Sequence, residues 1–447
     1  MSLNKKITKE YYNNILDNKN SLANQTAKKT AIEYIKNNDF PTTKDENWKK
    51  TDFKKLFKHQ FSYAEKVDFD EQTLSIFNIS GLNANILVFV NGYFYQEYSN
   101  IIEKNNSLII GNIAKAKKEN TEVFEKYFYK ETIYNKNLFS AFNSAFAQDG
   151  AFVYVPKNKI VENPIHIYNF TDGNNKKTIS QTRNLIIAEA NSEVKIIQSY
   201  HSLSVNYTLS NIVTEIFLEE NANVNYNLFQ GEGDDASQLN HTQVFQERSS
   251  NFSSNVITLC GSIVRNDLLV KINGEGCNTD LNGLYMPDRE QHFDNTLFVQ
   301  HAKPHSYSNQ LYRGIIDNKA TSVFFGKVYV GKGAIKTFAE QNNNNILLSK
   351  YAKAHSKPQL EIYNDDVKCS HGSTIGQLDK EALFYMKTRG IGERKAMVLL
   401  LNAFASEVLD KIKIEPFRNY TKHLIDKRMT GEKMDGQCYK MGECRAC

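Results

Sequence analysis

The spacing of hydrophobic and polar positions changes twice along this 447-residue chain, and the changes divide it into regions 1–150, 151–378 and 379–447. From Gln25 to Lys36, Ala27, Ala31, Ile32 and Ile35 recur at the steps of three and four that predict an amphipathic helix, which Pro41 ends. A strand pair at Ile86–Val90 and Tyr93–Tyr95 is predicted by Asn91-Gly92 between them, the two-residue signal for a hairpin with a type I′ turn. Phe139, Phe142, Ala145 and Phe146 return to helical spacing within 138–147.

Beyond residue 151, short β-branched and aromatic runs alternate with Asn, Gly, Ser and Asp, the texture of many short strands. A polar turn followed by a strand recurs at Glu189-Ala190-Asn191, Glu219-Glu220-Asn221 and Glu247-Arg248-Ser249, at steps of 30 and 28 residues. Repeats of this size suit a stacked architecture, in which each rung buries its inner face only against its neighbours. The reading is a mainly β protein with a parallel β-helix core; an antiparallel sandwich or barrel is the alternative. Inward-facing positions would include Ile186, Val194, Ile196, Val213, Ile216, Leu218, Val224, Val256, Ile257, Leu259, Leu268 and Val270.

The last region returns to helices. Asp379 suits an N-cap and Gly390 a left-handed helix end. A second helix over 393–412 carries Val398, Leu401, Ala405, Val408 and Ile412 on one face. Met397, Leu399, Leu400 and Phe404 widen that arc, so one side could meet the β domain and the other either a second chain or more internal core.

Composition narrows the class without naming it. With 40% hydrophobic and 23% charged residues the chain is globular, and no run of 18 apolar residues or apolar leader occurs, so a cytoplasmic protein independent of membranes is expected. Six cysteines, three of them at the extreme end, do not form a disulfide scaffold. Residues 387–447 hold 13 Lys and Arg against 8 Asp and Glu, a surplus equal to the whole net charge of +5. That surplus fits an acidic partner protein at least as well as a nucleic acid, which usually meets a denser basic face.

Motifs for phosphate loops, nucleophile elbows, HExxH zinc sites and paired CxxC sites are missing, and Gly231-Glu232-Gly233 lacks the context of a dinucleotide site. If 367–371 is a strand, Cys369 and His371 lie two apart and face the same way, roughly 7 Å apart by strand rise. A thiolate and an imidazole there make half a site for iron, an iron–sulfur cluster or zinc, which another chain would have to complete. The plainer alternatives are an inert core cysteine and a turn histidine. Glu361 could be a third ligand or a solvated strand residue, and Asp365-Asp366 reads as turn chemistry. Cys438, Cys444 and Cys447 match no metal motif; they could bind metal or carry sulfur, or be a tail of reactive thiols. Cys260 and Cys277 read as packing residues, and the irregular spacing of His292, His301 and His305 argues against one cluster.

The 35 residues from Lys357 to Ile391, with Asn364-Asp365-Asp366-Val367-Lys368-Cys369-Ser370-His371-Gly372-Ser373-Thr374 at their centre, resemble the C-terminal signature of the SufB/SufD family of the SUF iron–sulfur cluster assembly system. Phe40-Pro41-Thr42-Thr43-Lys44-Asp45-Glu46-Asn47-Trp48-Lys49 is similar to the family's N-terminal segment, and Ala147-Gln148-Asp149-Gly150 to the one before its β domain. His371-Gly372-Ser373-Thr374 favours the D type, because the B type carries His-Glu-Ala-Thr. The resemblance implies a right-handed parallel β-helix between helical ends. It also implies a non-catalytic scaffold subunit that works with a SufB-like homologue and a SufC-like ATPase, fed with sulfur by a cysteine desulfurase system.

By the same resemblance, His371 and Cys369 would hold a transient iron–sulfur cluster or iron shared with the partner subunit. Leu383, Phe384, Arg389, Gly390, Val398, Leu401, Phe404 and Val408 would fall in the part that docks the ATPase. A homodimer would form when the chain is alone, and flavin binding is left open. The cysteine tail departs from the family pattern. Two further readings are a β-helix enzyme of the polysaccharide lyase kind and a metal-binding protein using the terminal cysteines.

Overall fold

The computed structural model describes residues 22, 25–58, 61–103, 107–128, 137–173, 176–204 and 206–431. Its strands form two ten-stranded sheets, and from Ala151 to Gly376 the chain adds a strand to one sheet and then to the other at each turn. Successive strands within each sheet pair in parallel, as in Thr208–Leu218 beside Ala236–Gln246, so the core is a parallel β-solenoid. The first sheet ends on Lys353–Ile362 and the second on Val367–Gly376.

The turn repeat has a backbone cause. Asn158, Asn191, Asn221, Ser249, Gly276, His305 and Lys336 all adopt positive φ, between 53° and 71°. Each residue's N–H donates to a carbonyl one rung on, from Asn158 to Ala190 through to Lys336 and Asp366. Asparagine tolerates this left-handed geometry, and Asn221 Nδ2 donates to Asn191 Oδ1 at 3.1 Å, tying adjacent corners together.

Most of the expected inward positions line the solenoid: Ile186, Val194, Ile196, Ile216, Leu218, Val224, Val256, Leu268 and Val270 share one interior cluster. Val213, Ile257 and Leu259 do not. Val213 stands beside Arg183 and His241 on the outer face of the first sheet, and Ile257 and Leu259 lie under the C-terminal helices. Both faces of these strands are covered, which erases the alternation that would separate in from out.

The two helical regions cover different sheets. Leu138–Phe146, every residue of it buried, packs with Phe40, Trp48 and Phe53 against Ile179, Leu209 and Leu239 of the first sheet. Its Asn143 Nδ2 donates to the carbonyls of Thr182 and Asn211, and Arg183 Nη1 to Ser144 Oγ. The Arg265 guanidinium lies 3.7 Å from the Trp48 ring centre and donates to Asp294 at 2.5 Å, so a buried cation anchors the N-terminal segment. Glu393–Leu409 and Glu415–Thr430 cover the second sheet through Leu401, Val408, Phe417 and Leu424. The hairpin at Asn91-Gly92 forms with φ of 54° and 80°, joining Asn85–Val90 to Tyr93–Phe94. Asp379 caps Lys380–Thr388 by accepting from the N–H groups of Glu381 and Ala382, and Gly390 takes φ 80°.

Candidate functional site

Lys353–Ile362 and Val367–Gly376 are the last strands of their sheets, and no strand among the described residues pairs with their outer edges. The last rung is therefore a mouth. In Thr337–Leu347, the strand beneath, Ala339, Gln341, Asn343 and Asn345 are buried and point inward. Register sets Cys369 beside Ala339, His371 beside Gln341 and Ser373 beside Asn343, so the last strand turns Cys369, His371, Ser373 and Ile375 toward the interior face. Ser373 Oγ donates to Ser356 Oγ at 2.7 Å across the gap between the sheets, and Ser356 Oγ to Asn343 Oδ1 at 2.7 Å.

Cys369 is half-buried against the solenoid core, and burial pushes its thiol above the ordinary cysteine range despite a backbone hydrogen bond at Ala339. It is a protonated thiol that must lose its proton to bind a metal. His371, one pleat further on, is exposed. The two side chains share a face with solvent in front of them. As donor groups one is soft and one borderline, two short of the four that iron or zinc usually takes.

Glu361 does not join them. It lies on the outer face of the first sheet, in register with Tyr329, and Lys327 Nζ holds its Oε1 at 2.6 Å. Asp366 lies in the turn between the last two strands, where its N–H donates to Asn364 Oδ1 at 3.0 Å and its carbonyl accepts from Lys336. Among the described residues no three His, Cys, Asp or Glu side chains converge as a metal group.

Of the residues expected to face a partner, Leu401 and Val408 are instead buried against the second sheet. Phe404 is partly buried there, under the Arg313 guanidinium, whose Nε also donates to Glu407 Oε2 at 3.0 Å. Leu383 and Val398 are half-covered. Phe384 is 69% exposed, and Arg389 and Gly390 are exposed beside Tyr385 and Leu399, so the outward surface is the start of this region rather than the apolar face of its long helix.

Cys277 is a buried packing residue whose Sγ donates to the Glu247 carbonyl at 3.1 Å; Cys260, buried in the cluster under the C-terminal helices, is disulfide-bonded and so is more than a packing residue. His292 meets Thr51, His301 faces inward onto Ser308, and His305 occupies a corner, three separate places. Cys438, Cys444 and Cys447 lie outside the described residues. No helix among the described residues is long and apolar enough to cross a membrane.

Of the residues lining the mouth, Ser373 enters the sequence reading only as part of the His371–Thr374 motif, and Ser356 and Gln341 do not enter it. A signal exists for Gln341: Gln310, Gln341 and His371 stand 31 and 30 residues apart, the rung spacing of the solenoid.

Residues 170–404 match the SufBD core domain of SUF system FeS cluster assembly, and residues 2–167 the SufBD protein N-terminal region. The chain is 32% identical over 396 residues to the iron–sulfur cluster assembly SufBD family protein slr0076 of Synechocystis, covering 87% of each. It is 28% identical to the iron–sulfur cluster assembly protein SufD of Escherichia coli, over 88% of this chain and 90% of that protein. With the SufD of Bacillus subtilis it shares 27% identity over 73% of this chain and 75% of the other. A solenoid that breaks off at a rung bearing Cys369 and His371, and a match to both SufBD regions along nearly the whole chain, make this protein a member of the SufBD family of iron–sulfur cluster assembly proteins.

Proposed function

We propose that this chain is a non-catalytic scaffold subunit on which a nascent iron–sulfur cluster is built at the mouth of the solenoid, with His371 and Cys369 as two of its ligands. The observation that carries the reading is the last rung: two strand edges unpaired among the described residues, and a thiol and an imidazole on the same face. A SufB-like homologue would complete both the sheet edges and the ligand set, since a parallel edge pairs readily with a similar strand. The exposed Phe384, Tyr385 and Arg389 would dock the SufC-like ATPase, whose closure would shift the helical end and change access to the mouth. The cluster is cargo here. The chain's own residues hold it through a deprotonated Cys369 and a neutral His371.

The reading is tested by His371→Ala in a complex reconstituted with the homologous subunit and the ATPase. The complex is expected to assemble in full and to form less cluster, measured as acid-labile sulfide and visible absorbance. An unchanged cluster yield would remove His371 from the site.

A further inference from the structure

The neighbour of His371 inside the solenoid is as telling as His371 itself. Gln310, Gln341 and His371 occupy one inward column on three successive rungs of the second sheet. Gln341 is 1% exposed, and its Nε2 donates to Gln310 Oε1 at 3.1 Å. An amide is planar with its oxygen and nitrogen on opposite sides, so a nitrogen directed back along the column turns the oxygen forward, toward the rung of His371. That Oε1 is buried and has no hydrogen-bond partner. Space for the ladder is provided across the interior by Gly326, where an added Cβ would lie 3.1 Å from Gln310 Oε1 and 2.9 Å from the Phe324 ring.

A buried carbonyl oxygen without a donor costs roughly 1–3 kcal/mol, so a donor within reach of it is favoured. The one donor-bearing side chain next in the column is the His371 imidazole. We infer that Gln341 is a positioning residue for His371: its Oε1 accepts from one imidazole N–H, fixing the ring's rotation and leaving the other nitrogen's lone pair free toward the mouth. Metal-binding histidines usually have their second nitrogen held in this way, and losing the outer partner typically weakens metal affinity about 10- to 100-fold. The inference rests on the proposed ligand role of His371 for its purpose; the structure sets the two residues side by side in register, and the hydrogen bond between them is the inferred step.

The test separates the two. In the full-length, iron-free chain, the imidazole N–H signal of ¹⁵N-labelled His371, assigned by its loss in His371→Ala, is expected to be protected from solvent exchange at neutral pH. Gln341→Leu should abolish the protection, and Gln341→Glu, which keeps an acceptor, should restore it, because the unpartnered Gln310 Nε2 can turn to donate to the new carboxylate. Gln310→Leu, which frees the Gln341 amide to rotate, should weaken the protection while leaving Gln341 in place. Thermal melts confirm that each variant is folded. A protected signal that persists in Gln341→Leu, or its absence from the parent chain, overturns the inference. In the assembled complex, Gln341→Leu should retain ferrous iron about 10- to 100-fold less tightly. Lost protection with unchanged iron retention would uphold Gln341 as the positioning residue and refute His371 as a ligand.

Discussion

The two ends of the solenoid are built on opposite plans. At the first, the sheets begin with strands that finish them: Tyr93–Phe94 turns back antiparallel on Asn85–Val90, and Ile109–Asn112 lies antiparallel on Ala151–Val155. Val88, Phe89 and Val90 there are buried. At the last, both strands are bare among the described residues, and the inward residues Ile362 and Ile375 are 40% and 47% exposed. Stacked repeats normally need a polar cap at each end, because an open rung templates further pairing. This chain caps one end itself and keeps its thiol and imidazole at the other. The covered end serves folding, and the bare end is the one the proposed assembly uses.

Substitutions can break that division, beginning with the largest effect. Arg183 and Glu215 form an ion pair at 2.6 Å with side chains 1% and 0% exposed, beneath the helix Leu138–Phe146. Arg183→Met takes the guanidinium away from a buried carboxylate and is expected to cost about 3–5 kcal/mol in urea unfolding. A loss below about 1 kcal/mol would mean that the covered end does not depend on this pair.

A second comparison separates the two sides of the C-terminal helices. Leu401→Ala, which opens a cavity over the second sheet, should cost about 2–5 kcal/mol, whereas Phe384→Ala should stay within about 0.5 kcal/mol in the isolated chain and weaken ATPase binding instead. Equal destabilisation by both would place Phe384 in the core.

The third effect is smaller and depends on pH. Burial raises the Glu232 carboxyl to about 7, against hydrogen bonds from Thr171 and Ser210 that favour the charged form. Folded chains therefore keep a proton that unfolded chains release near pH 4.3, so this group's contribution to stability falls as pH rises from about 4.3 to about 7. Glu232→Gln should flatten that decline and melt at a higher temperature than the parent at pH 8. Parallel melting curves across the window would contradict it.

Much of the covered architecture was legible because its cause is local. The corner repeat at Asn191, Asn221 and Ser249 advertises a left-handed residue on each rung, and Asp379, Gly390 and Asn91-Gly92 announce their caps and turn. Cys369 and His371 could be set on one face because i and i+2 always share a face in a strand. Glu361 could not be placed relative to them, since the face a residue occupies on one strand says nothing of the facing sheet. Spacing alone does not assign Val213, Ile257 and Leu259 to a face, because both faces of their strands are covered and both carry apolar residues. The buried cations were invisible for another reason: Arg183 meets Glu215 and Arg265 meets Asp294 one rung away, contacts that only the register creates.

The claim on which the account depends is that the His371 imidazole binds the cluster built at the bare rung. Pulsed electron paramagnetic resonance on the assembled complex, loaded with cluster, reduced to a paramagnetic state and carrying ¹⁵N-histidine in this subunit alone, tests it directly. A ¹⁵N hyperfine coupling that vanishes in His371→Ala is expected; a cluster signal without that coupling, or a coupling that survives the substitution, would rule His371 out as a ligand.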